Sequence, residues 1–282
     1  MKGWRFALER RWLGYLAAAV VFAIACVGLA NWQLARRTEA LTEIQRVNDN
    51  WDSAPRQLGE VLPQLTSYSD ADKWMPVTMS GHYLLDDQVL VRGRPLDGAA
   101  GFEVLVPFEL ADGTVFVVDR GWLPAGTKQD QPDTVPAAPA GQITVVVRLK
   151  PGEPTVLGRS APAGQIATIH LPDIAARVGE PTYTGAYGLL ASEDPAPATR
   201  PTAVSKPIPD EGPHLSYAFQ WLVFALMGFF GLGWAIRQEY RIRNADDPEE
   251  RERAAARRRR AAAKPRSDAE VEDEILDQVR PG

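Results

Sequence analysis

Two long apolar runs near the ends of the chain constrain its fold more than any other feature. The runs Trp12 to Ala30 and Leu215 to Ile236 contain no acidic or basic side chain. At ~1.5 Å of rise per residue, each run is long enough as a helix to cross the ~30 Å hydrocarbon core of a bilayer. We therefore expect a membrane protein with two transmembrane helices, at residues 12–30 and 214–236.

The charges that flank the two runs indicate their orientation. Basic residues are concentrated on the terminal side of each run: Lys2, Arg5, Arg10 and Arg11 before the first, and Arg237, Arg241, Arg243 and Arg257–Arg260 after the second. The other flank of the first run carries Arg36 and Arg37. The positive-inside rule then predicts that residues 1–11 and 237–282 are cytoplasmic and that the domain formed by residues 31–213 is extracytoplasmic.

The first run has an alternative interpretation as a cleaved signal. Ala23-Ile24-Ala25 resembles a small-x-small cleavage site, and Ala25-Cys26 faintly resembles a lipoprotein junction. The apolar run continues past Cys26 to Ala30, so we favour a retained anchor. Because Cys26 is the only cysteine, no intramolecular disulfide can form, and the domain must be stabilised by its apolar core.

Composition separates the domain from the tail that follows the second run. Acidic residues outnumber basic ones between Glu39 and Glu211, which argues against nucleic acid as a partner. The tail at 237–282 is charge-dense and rich in Ala, and we expect it to be mobile or partly helical, and largely disordered. Its composition favours a bacterial cell, and hence the plasma membrane as the location of the protein.

Between the runs, the pattern is mainly that of short strands. Segments rich in β-branched residues and bounded by turn residues are Pro76–Gly81, Gln88–Arg92, Phe102–Phe108, Thr114–Asp119 and Gln142–Leu149, with weaker candidates at Gln165–His170 and Thr182–Leu190. This spacing predicts a β-rich (α+β) domain, built as an antiparallel sheet or an open barrel. Helices are expected from Arg36 to about Asn50 and at Asp173–Val178, with an exposed loop at Gln131–Gly141 and a linker at Asp194–Gly212.

The sequence carries no motif that predicts catalysis. It has no Gly-rich phosphate loop, no nucleophile elbow, no HExxH helix and no cysteine pair. Its three histidines, His82, His170 and His214, lie far apart in sequence, and a metal site built from all three is a disfavoured alternative. We therefore predict that the protein is not an enzyme.

Three short clusters lie at positions where a binding site could form. They are Asn31–Arg37 after the first run, Asp119–Pro124 at a predicted strand end, and His214–Trp221 at the start of the second run. His214, Tyr217 and Trp221 fall at i, i+3 and i+7, so they share one helix face. Spacing alone favours an aromatic belt at headgroup level with snorkelling arginines. The alternative is a site in which His214 contacts a ligand.

The order of five segments adds a resemblance to a known family. The segments are WQLARR after the first run, PVTMSGHY, GFEVLVPFE and VVDRGWLP in the domain, and HLSYAFQW at the second run. This order resembles that of the surfeit locus protein 1 family of cytochrome c oxidase assembly factors, over about residues 12–240. The resemblance implies a membrane factor that assists delivery or insertion of haem a, a transient cofactor, into the catalytic subunit of the oxidase. A haem a synthase and membrane lipid are the further partners expected.

The resemblance also implies which residues would contact the haem. His214 would be the axial ligand to the iron, and Arg36 or Arg120 would pair with the propionates. The apolar walls would be formed by Trp32, Tyr217 and Trp221, and further motif positions are Gln33, Gly121 and Trp122. The alternative hypothesis is a structural membrane adaptor or chaperone that stabilises respiratory complex subunits without binding haem.

The predicted topology can be tested by cysteine labelling in intact cells. A cysteine introduced at Asp112, in the Ala111-Asp112-Gly113 hairpin turn, should react with a membrane-impermeant thiol reagent, because the domain is expected outside the cytoplasm. A cysteine at Ser267 should stay unlabelled until the cells are opened. Protection at Asp112 together with labelling at Ser267 would contradict this orientation.

Overall fold

The computed structural model describes residues 3–127 and 130–263. These residues form two compact units. The barrel unit is Thr38–Glu211, and the helical unit combines the described residues before Thr38 with those after Glu211. Lys2 and the tail from residue 264 onward, which includes Ser267 and most of the segment expected to be disordered, lie outside the described residues.

Two of the helices contain the apolar runs. Within the described residues, the helices are α1 (Arg10–Asn50), α2 (Leu58–Val61), α3 (Leu171–Val178), α4 (His214–Arg243) and α5 (Pro248–Ala262), with 3₁₀ turns at Trp4–Leu8, Asp70–Asp72 and Leu85–Asp87. α1 and α4 are long and apolar enough to cross a membrane, and few of their side chains are buried against protein. Apolar side chains left this exposed require an apolar solvent, so the protein is membrane-associated.

The barrel unit is a mixed sheet whose central strands close on themselves. The strands are β1 (Arg56–Gln57), β2 (Pro76–Tyr83), β3 (Val89–Arg92), β4 (Gly101–Leu110), β5 (Val115–Pro124), β6 (Ile143–Pro151), β7 (Gln165–Ile166) and β8 (Ala186–Asp194). The barrel follows the order β2-β6-β8-β5-β4, and the pairing of Tyr83 with Phe108 joins β4 back to β2. The β-rich prediction is confirmed, with a closed barrel in place of an open one.

One barrel pair departs from the expected antiparallel pattern. β5 and β8 are parallel, and Val118 pairs with Gly188. β8 is antiparallel to β6 and parallel to β5. A parallel pair needs a long connection, and here β6 and the segment containing α3 separate β5 from β8 in the chain. The flanking strands extend the sheet: β1 pairs with the start of β2, β3 with β4, and β7 with β3.

Side chains alternate between the barrel interior and its outer face, as the two-residue strand repeat requires. The interior is filled by buried residues such as Val106, Phe108, Phe116, Val118 and Val145. The outer face of β4, β5 and β8 carries Leu105, Val117 and Leu189, which pack in a second core with Leu171 and Ile174 of α3 and Val47 of α1. The domain thus has apolar packing on both sides of the sheet.

Two strand predictions were wrong in their boundaries. The segment Thr182–Leu190 was predicted as a strand, but β8 begins at Ala186, because the amides of Tyr183 and Thr184 donate to Val115 and Leu65 rather than to β6. The predicted strand Gln165–His170 is reduced to the two residues of β7. In the tail, α5 is helical, as the partly helical alternative allowed.

The Asp119–Pro124 cluster forms the last part of β5, which continues to Pro124 instead of ending at Asp119 as the predicted strand Thr114–Asp119 did. The β4–β5 register shifts between Glu103 and Leu105, so Arg120 and Gly121 form a β-bulge. Gly121 has φ +126°, and a Cβ there would lie 2.4 Å from the carbonyl oxygen of Thr202. The Gly121 amide donates to Asp119 Oδ1 at 2.9 Å. The β-branched pattern stops at Asp119, but the bulge allows pairing to continue.

Arg120 lies two residues after the inward-facing Val118, so the alternation of β5 directs its side chain into the barrel, where it is fully buried. Its Nε donates to Glu193 Oε1 at 3.1 Å and its Nη1 donates to the carbonyl oxygen of Pro136 at 3.0 Å. Tyr83 Oη donates to the same Glu193 oxygen at 2.7 Å. The loop Gln131–Gly141, predicted to be exposed, is therefore partly buried, since Pro136 binds the guanidinium and Ala138 is in the core.

Arg120→Ala should destabilise the barrel unit by about 3–5 kcal/mol, because it leaves the Glu193 carboxylate buried without its cation. The measurement is thermal or urea unfolding of the full chain in detergent, together with protein abundance in the membrane. Arg56→Ala is the matched control, since Arg56 is half-exposed and lies 3.9 Å from Glu60. Equal stability of the two variants would show that the buried pair contributes little.

Candidate functional site

The strongest candidate site in the helical unit is the imidazole of His214 at the first position of α4. Its Nδ1 lies 2.8 Å from Gln33 Oε1 of α1. An amide oxygen can only accept, so Nδ1 donates in this bond and the lone pair is on Nε2. A histidine held by a hydrogen bond at one ring nitrogen is oriented as metal-ligating histidines are.

Gly212 leaves space beside the Nε2 atom. Gly212 has φ +67°, and a Cβ at this position would lie 3.2 Å from His214 Nε2. Any larger residue would be strained in this conformation and would crowd the ring. The glycine therefore allows the chain to turn into α4 without covering the imidazole with a side chain.

A small apolar cleft separates α1 and α4 in the same unit. It has a volume of about 130 Å³ and is lined by Val27, Ala30, Asn31, Leu34, Leu215, Ala218, Phe219 and Leu222. On each helix these positions follow the i, i+3, i+4, i+7 spacing of a single face. His214, Tyr217, Trp221, Trp32 and Arg36 do not line it.

Of the motif residues, Gln33 is hydrogen-bonded to His214. Tyr217 and Trp32 are 47% and 56% exposed, and Trp221 packs edge-on against Phe224 at a centroid distance of 5.8 Å. Arg36 is exposed on α1. The expected aromatic walls are thus outward-facing surfaces of the helices, which is also the arrangement of an aromatic belt.

Arg120 has a different set of partners from the one that the resemblance implies. Its guanidinium is occupied by Glu193 and Pro136 inside the barrel. Trp122, from the same motif, donates its indole N–H to the carbonyl oxygen of Arg94 at 2.7 Å. Both side chains therefore make contacts within the barrel unit, whereas the resemblance implied a propionate contact for Arg120 and gave Trp122 as a motif position.

The other two histidines each have an acidic neighbour in the barrel unit. His82 Nε2 lies 3.2 Å from Glu109 and His170 Nδ1 lies 3.0 Å from Asp173. Among the residues that the structure describes, no group of three His, Cys, Asp or Glu side chains could hold a metal ion.

A second polar cluster, which the sequence analysis missed, surrounds Asp119 on the outer face of the barrel. Asp119 is fully buried and its Oδ2 atom has no hydrogen-bond partner. Burial, together with the charge of Glu103, raises the pKa of Asp119 to about 8. The other titratable groups that interact with it are Lys150, Arg94 and Tyr187. The signal available in the sequence was an acidic residue, Asp119, at the end of an apolar segment and directly before Arg120-Gly121.

Asp119 should make the barrel unit less stable as pH rises. Between about pH 4 and about pH 8 the folded carboxyl keeps a proton that the unfolded chain releases, so stability falls across this range and levels off above it. In thermal unfolding measured from pH 5 to pH 8, Asp119→Asn should reduce this decline. The exposed Asp86→Asn should retain the wild-type profile. A decline of the same size in Asp119→Asn would mean that another group causes it.

Comparison with known proteins agrees with the order of the segments. The model of the SURF1 family matches residues 20–226. Uncharacterized SURF1-like proteins of Mycobacterium bovis and Mycobacterium tuberculosis are each 32% identical over 246 residues, covering 86% of this chain and 89% of theirs. A SURF1-like protein of Dictyostelium discoideum is 30% identical over 107 residues, covering 36% of this chain and 40% of its own. The chain therefore belongs to the SURF1 family, which is linked to cytochrome c oxidase assembly.

Proposed function

We propose that the protein assists delivery or insertion of haem a into the catalytic subunit of cytochrome c oxidase, and that His214 is the axial ligand. The observation that carries this proposal is the hydrogen bond between His214 Nδ1 and Gln33 Oε1. It orients the ring and assigns the lone pair to Nε2, the atom next to Gly212. Membership of an assembly-factor family supplies the cellular process.

The helical unit offers a suitable donor atom for haem iron, but its apolar cleft is too small to enclose a haem. His214 offers one nitrogen donor, and haem iron commonly takes histidine as an axial ligand. The 130 Å³ cleft is well below the ~300–1,000 Å³ of pockets that enclose drug-sized ligands. The apolar surface available is therefore the outward face of α4 with Tyr217 and Trp221. Such an open site suits a cofactor that is held only until it is transferred.

The polar end of the site would be provided by Arg36. Arg36 lies one helical turn from Trp32, at the end of the apolar run of α1. A guanidinium can bind a carboxylate through two parallel hydrogen bonds, which suits a propionate. We assign no propionate contact to Arg120, because its Nε and Nη1 atoms already donate to Glu193 and to the carbonyl oxygen of Pro136 inside the barrel.

The orientation proposed for this function places both termini in the cytoplasm and the barrel unit outside it. The support is the asymmetric distribution of arginine about the two apolar runs. The proposed partners are the catalytic subunit of the oxidase and a haem a synthase that supplies the cofactor. The surrounding lipid contacts the exposed apolar side chains of α1 and α4.

The test is the absorbance spectrum of the full chain purified from a host that makes haem a. His214→Ala should abolish or shift the haem band and lower haem a in the oxidase, while the protein stays in the membrane at its normal level. Gln33→Ala should weaken haem retention by about 10–100-fold, the usual effect of removing a partner that orients a metal ligand.

His82→Ala is the matched control, since it removes a partly exposed histidine of the barrel unit, and it should leave the spectrum unchanged. An unchanged haem content in His214→Ala would refute ligation by this residue. Wild-type protein that never carries haem but still co-purifies with oxidase subunits would instead favour the adaptor, which stabilises the subunits by contact alone.

A further inference from the structure

The junction between α4 and α5 is a structured turn. Asn244 is buried, its Nδ2 donates to the carbonyl oxygen of Tyr240 at 2.9 Å, and its Oδ1 accepts from the Gly3 amide at 2.9 Å. Asp247 Oδ1 accepts from the Glu249 amide at 3.0 Å, which caps the start of α5. These bonds fix the direction in which α5 leaves α4.

The N-terminal segment reinforces this end of the helical unit. Trp4 stacks on Tyr240 with a centroid distance of 4.3 Å. The Arg243 guanidinium binds Glu9 at 2.6 and 3.2 Å and lies over the ring of Phe6. The end of α4 is therefore held by contacts that come from the start of the chain, which gives α5 a rigid base.

A cleft of about 650 Å³ lies between the end of α4 and α5. Four of its lining residues are arginines: Arg241, Arg251, Arg257 and Arg258. The acidic lining residue is Glu250, which already binds Arg257 at 2.6 Å. Arg251 lies 3.2 Å from Asp246, a side chain that is 95% exposed, so this pair is weak. The cleft therefore has a surplus of positive charge.

The cleft lies at the depth of lipid headgroups. The apolar run of α4 ends at Ile236, and at ~1.5 Å per residue Arg241 is about 7 Å further along the helix axis. The headgroup layer extends about 5–8 Å beyond the hydrocarbon core on each side of a bilayer. Ile242, which also lines the cleft, is 64% exposed.

We propose that the α4–α5 cleft binds the phosphate of an anionic phospholipid in the leaflet that faces the chain termini. Guanidinium groups bind phosphate through bidentate hydrogen bonds, and basic residues next to a transmembrane helix are attracted to anionic lipid. Free phosphate would also satisfy the arginines, but the cleft adjoins the end of an apolar helix, where the headgroups of anionic lipids are concentrated. The depth of the cleft therefore favours the lipid.

Native mass spectrometry of the full chain in detergent, titrated with phosphatidylglycerol and with phosphatidylcholine, tests this proposal. Arg251→Gln with Arg258→Gln should weaken phosphatidylglycerol binding by about tenfold or more and leave phosphatidylcholine binding unchanged. Arg253→Gln with Arg259→Gln is the matched control, because it removes the same charge from α5 at positions that do not line the cleft. Its effect should stay within about twofold.

Several results would overturn the proposal. Equal losses in the two double variants would indicate diffuse attraction by the helix, and no loss in the first would exclude the cleft. Displacement of the lipid by inorganic phosphate or by RNA at comparable concentration would assign the cleft to a soluble ligand. Should the glutamine variant lose its fold, Arg251→Lys with Arg258→Lys keeps the charge but not the bidentate geometry, and wild-type binding by that variant would also contradict the proposal.

Discussion

The ion pair between Arg120 and Glu193 inside the barrel is the interaction on which the barrel unit depends. Arg120 reaches the interior by the normal alternation of β5 after Val118, whereas Glu193 does so because the β6–β8 register shifts before it. Two buried charges are tolerated only when they pair with each other and their remaining polar atoms form hydrogen bonds. Tyr83 and the Pro136 carbonyl complete that arrangement. The Pro-rich loop is thereby tied to the barrel, although its sequence resembles an exposed linker.

The residue before Arg120 in β5 places a second polar group on the opposite face of the sheet. Asp119 precedes the bulge and accepts the Gly121 amide, so its carboxyl is buried beside Glu103 and Tyr187. Two consecutive residues of β5 therefore supply one partner of an internal ion pair and an outer-face acid whose pKa is raised by burial. The pH dependence of the domain and the packing of its interior should be separable by substitution, because the two groups lie on different sides of one strand.

In the helical unit, polar chemistry is confined to the ends of the apolar helices. Lipid provides no hydrogen-bond partners, so a polar side chain in a span must find a protein partner or lie at the boundary. His214 and Gln33 meet both conditions, because each lies at the end of an apolar run and the two side chains are hydrogen-bonded to each other. At the other end of the unit, arginines gather around the α4–α5 turn. The proposed haem ligand and the proposed lipid-phosphate site lie at opposite ends of the unit, and both are at helix ends because polar side chains are tolerated there beside lipid.

The sequence by itself determined the membrane helices, the β-rich class of the domain and the family, because apolar length, strand periodicity and ordered motifs are local properties. It also indicated His214, since a histidine at the start of an apolar run is visible without a fold. The tertiary structure alone decided that the barrel closes, that Arg120 is buried against Glu193, and that Gln33 is the partner of His214. Each of these pairs joins residues far apart in the chain, and their contact depends on bulges, register and helix rotation, which residue types do not encode locally.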